Sequence, residues 1–181
     1  YADEGDFAVA GAVRMGLLNE VDDTATLGFG EDGYRRALLM GSTKLKSGGI
    51  LTSAGELYHN DGPFTNTDDY NRTNGTLRYY KGTDQDFFSI TAMTYHGMWN
   101  STDQVPQRAI DEGLIDRFGT LAPTDGGESS RSSLSFNKVK QTEGGTTAFS
   151  AYVIKHKLDL WSTFTYDLGA TATGTTGDTQ H

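Results

Sequence analysis

Few residues of this 181-residue chain have types and spacing suited to catalysis. His59, His96, His156 and His181 show no paired metal-ligand spacing, and neither Gly-x-Ser-x-Gly nor His-Glu-x-x-His occurs. Cysteine is absent, which removes thiol catalysis, thiolate zinc sites and disulfides. Asp61, Asp68 and Asp69 lie near one another without the Asp-x-Asp-x-Asp-Gly order of a calcium loop, so a solvated acidic loop is expected. We therefore expect no enzyme activity, no cofactor and no metal. Glycosylation sequons begin at Asn71, Asn74 and Asn100 and are read as coincidence. Binding chemistry remains. Arg108 and Arg117 offer guanidinium forks that suit an anionic ligand, and Tyr58, Phe64 and Trp99 offer rings on which a ligand can stack.

The elements that must position these residues read as strands. In residues 86–99 (DFFSITAMTYHGMW), Phe88, Ile90 and Ala92 share one parity while Ser89 and Thr91 share the other. Period 2 with β-branched and aromatic residues predicts a strand with one apolar and one polar face. The run is long enough to cross a bilayer, since a tilted strand needs only about 9–11 residues. Phe87 and Phe88 before it and Tyr95 and Trp99 after it stand where a membrane strand carries its interfacial girdles.

Composition agrees with many turns and an all-β chain. Glycine is 23 of 181 residues, nearly double the usual share of about 7%. Hydrophobic residues make up 35%, and no run approaches the roughly 18 apolar residues of a membrane helix. A β-barrel remains compatible, because only alternate residues of its strands meet lipid. The net charge of -9 argues against nucleic acid as a partner. The N-terminal YADEGDFAVAG lacks the basic and apolar regions of a signal peptide, and with no initiator Met the chain is expected to begin inside a longer protein.

Six more segments read as strands: 25–30, 34–45, 50–58, 71–80, 129–139 and 146–168. Residues 8–18 suit short strands or a helix. Glu31-Asp32-Gly33 predicts a tight turn with positive φ. Connections alternate, short after Leu45, Tyr80 and Val139 and long after Tyr58 and Trp99, and Pro63, Pro106 and Pro123 all fall in the long ones. Short turns at one end and long loops at the other are the habit of outer-membrane barrels, although a soluble β-sandwich shares the strand spacing. The 100–127 stretch is too long for an idle connection, which points to a functional loop. In 146–168, Phe149, Ala151 and Val153 share a parity with Lys155 and Lys157, so either an apolar belt ends there or a bulge switches faces.

Several segments resemble the TonB-dependent receptors of Gram-negative outer membranes: EDGYRRALLMGST, ELYHNDGPF, SITAMTYHGMWNSTDQVPQRAI, FGTLAPTDGGESSR and YVIKHKLDLWSTFTYDL. They span nearly the whole chain in the right order. The resemblance implies an antiparallel transmembrane β-barrel, here about seven strands of a larger plugged barrel. Residues 1–21 would be the end of the plug and 22–181 the early barrel strands. It implies active import of a scarce nutrient, most often an iron-siderophore, driven by the TonB complex through the missing N-terminal part. Outer-membrane lipid and lipopolysaccharide would be its surroundings. Ligand capture would fall to external-loop residues Tyr58, Phe64, Trp99, Arg108 and Arg117, and Glu56, Arg78 and Arg131 would face the lumen. The plainer alternative, favoured residue by residue, puts the aromatics in the girdle and leaves the arginines solvated or paired with lipopolysaccharide. Rival functions are a passive porin-like barrel and a soluble β-sandwich that binds carbohydrate.

Overall fold

The computed structural model describes residues 16–102 and 104–162, and the backbone of 178–180. Seven long strands follow one another: β1 Thr24–Phe29, β2 Arg35–Lys44, β3 Ile50–Asn60, β4 Tyr70–Gly82, β5 Asp86–Asn100, β6 Gly126–Thr142 and β7 Gly145–Ser162. A short β8, Asp178–Gln180, pairs with the end of β7. Each strand lies antiparallel to its sequence neighbour in one open sheet ordered β1 to β8. Among the described residues no second sheet packs on either face. Leu77, Ile90 and Leu134, which a sandwich would bury between layers, are each at least two-fifths exposed.

The expected strands are present, with shifted ends. β6 begins at Gly126 rather than Ser129, because Gly126, Gly127 and Glu128 carry no apolar signal although they continue the ladder. The 100–127 stretch holds one short helix, α1 Gln107–Asp111, entered through Pro106 and left at Gly113, whose φ is +71°. Residues 163–168 of the last expected strand and residues 1–15 of the expected plug end lie outside the described residues, as does His181.

Turn chemistry explains the hairpins. Asp32 and Gly33 adopt φ of 51° and 67°, both positive as an Asp-Gly hairpin turn requires. Connections 45–49, 83–85 and 143–144 lie at one end of the sheet; 30–34, 61–69 and 101–125 lie at the other. The two long ones are tied together. Thr65 N–H donates to the Phe118 carbonyl (3.0 Å), Asn66 Nδ2 donates to the Pro123 carbonyl (3.3 Å), and the Phe64 and Phe118 rings meet edge-on at 6.3 Å. They form a folded cap above the strand ends, not two separate loops.

Strict pairing sorts the side chains onto two faces. Leu27, Leu39, Leu57, Leu77, Ile90, Leu134, Phe149 and Val153 share one face, through rows such as Leu77↔Ala92↔Leu134↔Val153. The opposite face carries Arg36, Glu56, Arg72, Asn74, Arg78, Tyr95 and Arg131, with apolar neighbours such as Leu38, Met40, Met93, Tyr152 and Ile154. The β6–β7 register is unbroken from Thr142↔Gly145 to Gly126↔Trp161, so no bulge intervenes and Lys155 and Lys157 end the apolar run of β7 on its own face. Of the four aromatics expected to bracket β5 as girdles, only Phe88 lies on the apolar face. Phe87, Tyr95 and Trp99 have the other parity and project from the polar face.

Segment 16–23 lies across the polar face. Val21 N–H donates to Ser42 Oγ (2.9 Å), Thr52 Oγ1 donates to the Asn19 carbonyl (2.8 Å), and Arg78 Nη2 donates to Asn19 Oδ1 (2.8 Å). Lys44 adds an ion pair to Glu20 (2.9 Å). These partners come from β2, β3 and β4, so the segment is held at several points rather than draped.

Candidate functional site

The loop end of the polar face concentrates the binding chemistry. Glu56 on β3 accepts from Arg36 Nε on β2 (2.7 Å), and from Arg72 Nη2 (2.9 Å) and Asn74 Nδ2 (2.8 Å) on β4. Glu56 pairs with Asn74 in one row, and the next row on the same face, Arg36↔Tyr58↔Arg72, supplies both arginines, so antiparallel pairing brings the carboxylate among its donors. The Glu56 side chain is only 12% exposed, against 36% for Arg36 and 29% for Arg72. Two cations and an amide around one carboxylate satisfy it and leave the cluster with excess positive charge.

Aromatic rings flank this cluster. Tyr34, Tyr58 and Tyr70 follow one another at centroid spacings of 5.6 Å, and the Arg72 guanidinium lies 4.7 Å from the Tyr58 ring. Arginine over an aromatic face gains quadrupole attraction and holds both groups still. Beyond them, a recess of about 510 Å³ opens under the cap, lined by Asn60, Phe64, Asp68, Tyr70, Tyr95 and Trp99 among others. Asp68 in connection 61–69 has its carboxyl pushed above its ordinary value by burial.

Of the residues expected to bind ligand, Phe64 and Trp99 come together in this recess, and Tyr58 stands beside it through Tyr70. Arg108 and Arg117 do not line it. Arg108 lies in α1, and the Arg117 guanidinium sits 5.9 Å from the Phe118 ring. Glu56, Arg78 and Arg131 share the polar face. Arg78 holds Asn19 and also donates to Thr91 Oγ1 (2.8 Å). Sequence reasoning missed Arg36, Arg72 and Tyr70. Their parity carries the signal: once turns 31–33 and 45–49 set the register, each falls on the row of Glu56 or of Tyr58 or beside it.

His59, Asp61 and Asp69 also come together at the loop end. Asp61 Oδ1 approaches His59 Nε2 (3.2 Å), while Asp69 Oδ1 lies 3.7 Å from Nδ1, the nitrogen that meets Asn71 Oδ1 at 3.0 Å. The two carboxylates thus approach opposite nitrogens of one ring. That geometry pins the imidazole between connection and strand, with one ligand atom from each of the three residues within 4.8 Å of the others.

Comparison with known proteins finds no matching family model, no matching curated protein and no matching solved structure.

Proposed function

We propose that this chain is a stretch of wall from an outer-membrane transporter of the TonB-dependent receptor kind, with residues 1–21 as the end of its plug and 22–181 as early barrel strands. One observation carries the reading: the apolar face is exposed, and its belt runs diagonally through the sheet. Ten large side chains on that face, from Leu27 on β1 to Val153 on β7, are between 42% and 78% exposed. A soluble domain that left such a continuous face to water would lose the main stabilisation of its fold.

The diagonal is the discriminating feature. The row that starts at Leu27 passes through Ala37, Leu57, Thr73, His96 and Ser130 to Lys157. It turns from apolar to polar although it never leaves one face. On β7 the apolar run is Phe149, Ala151 and Val153, centred six residues from Lys157 (157 to 151), after the six steps from β1. One residue per step is about 3.3 Å along the strand for about 4.8 Å between strands, a slope of roughly 35°. A flat hydrocarbon slab cutting strands tilted by about 35–45°, as in barrels, produces that drift.

The ligand is captured at the loop end, where the cap, the aromatic recess and the arginine-rich cluster adjoin. A scarce nutrient with aromatic and anionic groups, a ferric siderophore foremost, suits those rings and the arginines around Glu56. The fastening of segment 16–23 across the polar face supports a plugged transporter over a passive porin, whose lumen stays open. Fractionation of cells expressing the protein tests the whole: recovery with the outer membrane is expected, and recovery in the soluble fraction overturns the reading.

A further inference from the structure

The turn end of the apolar face carries an ordered band that the transport reading does not use. Tyr79, Phe88, Phe136 and Phe149, one from each of β4 to β7, form a continuous aromatic ladder with centroid spacings of 5.6, 6.4 and 6.1 Å. Lysines stand beside it and beyond it toward the turns: Lys81 pairs across from Phe88, Lys138 lies between Phe88 and Phe149, and Lys140 pairs with Asp86. Lys138 also bonds Asp86 (2.5 Å). On this face the band holds three lysines against one acid, in a chain whose net charge is -9. Asp84 and Glu143 lie further out, in the turns themselves. The loop end of the same face is different. There Lys157 pairs with Asp159, and His96 lies 3.9 Å from Glu128.

We infer that this turn-end band is a docking surface for the phosphates of anionic phospholipid headgroups, with the aromatic ladder at the level of the acyl boundary. The inference rests on the membrane reading above. Rings that are apolar in body prefer the boundary between hydrocarbon and water. Lysines one step beyond reach the headgroup phosphates while their stems stay against the rings. Charge complementarity selects the lipid. A protein of this net charge is repelled as a whole by an anionic surface, so attraction must come from a local excess of cations within a Debye length, about 10 Å at 0.1 M salt.

The test compares association of the full chain with phosphatidylcholine vesicles and with vesicles containing phosphatidylglycerol, by flotation. The wild-type chain is expected to bind neutral vesicles and to bind at least about tenfold more tightly once phosphatidylglycerol is present, from two or three lysines near the surface. High salt should erase that gain. The triple variant K81Q/K138Q/K140Q should bind neutral vesicles like wild type and lose the gain, while K155Q/K157Q, at the opposite end, should keep it. Weakened or unchanged binding on adding phosphatidylglycerol overturns the inference, as does a gain that survives in the triple variant. The wild-type salt dependence decides the matter even if the triple variant does not fold. Failure to bind neutral vesicles at all would instead overturn the membrane reading on which the band depends.

Discussion

Glu56 accepts from three donors on two neighbouring strands, so truncating it leaves Arg36, Arg72 and Asn74 facing one another without their acceptor. Both arginines keep partial contact with water, which softens the loss. Glu56→Ala should lower the unfolding free energy in lipid vesicles by about 1–3 kcal/mol and Glu56→Gln by less, read from urea titration followed by tryptophan fluorescence. Equal midpoints for both variants and wild type would contradict the cluster's role. Asp68 supplies a pH signature in the cap. Burial raises its carboxyl above the ordinary 3.8, so the folded state holds this proton more readily than the unfolded chain does. Its contribution is unfavourable at neutral pH, and stability is regained as pH falls through the raised value toward 3.8. Asp68→Asn should be more stable than wild type at neutral pH, and the gap should close on acidification. Parallel stability curves would rule this out.

Strands are the scale at which parity matters. Leu77 and Ile90 lie near the middle of the apolar belt on adjacent strands, while Ser133 faces the other way. Arginine at Leu77 or Ile90 should cost about 2–4 kcal/mol if the belt meets the hydrocarbon midplane, whereas arginine at Ser133 should cost little. Folding equilibria in vesicles measure both, and equal small effects at all three sites would remove the bilayer from the account. Hairpin geometry was largely legible beforehand, since Asp32-Gly33 and the short polar turns dictate register and register dictates faces. The cap was not. Its short helix and the knitting of 61–69 to 101–125 depend on contacts such as Thr65 with Phe118, between residues far apart in sequence, and no local pattern encodes them.

For the whole molecule, the drift of the belt by one residue per strand makes a geometric prediction. Polarised infrared spectroscopy of the chain in oriented bilayers should report strands tilted about 35–45° from the membrane normal. Strands lying flat on the surface would contradict it. The same drift accounts for an otherwise odd feature of composition, lysine and phenylalanine sharing one parity on β7: the strand leaves the belt obliquely.

Alternation, turn residues and the placement of prolines were enough to establish an antiparallel all-β chain with one apolar and one polar face, because strand period and turn chemistry act between near neighbours. Which aromatics belong to which face was decided by register: Phe88 stands in the ladder, whereas Tyr95 and Trp99 look into the polar side. The arginine and tyrosine cluster around Glu56, the recess under the cap and the fastening of Asn19 to Arg78 exist only once strands from distant parts of the chain lie side by side. Pairing across strands, unlike period along one, is a property of the assembled sheet.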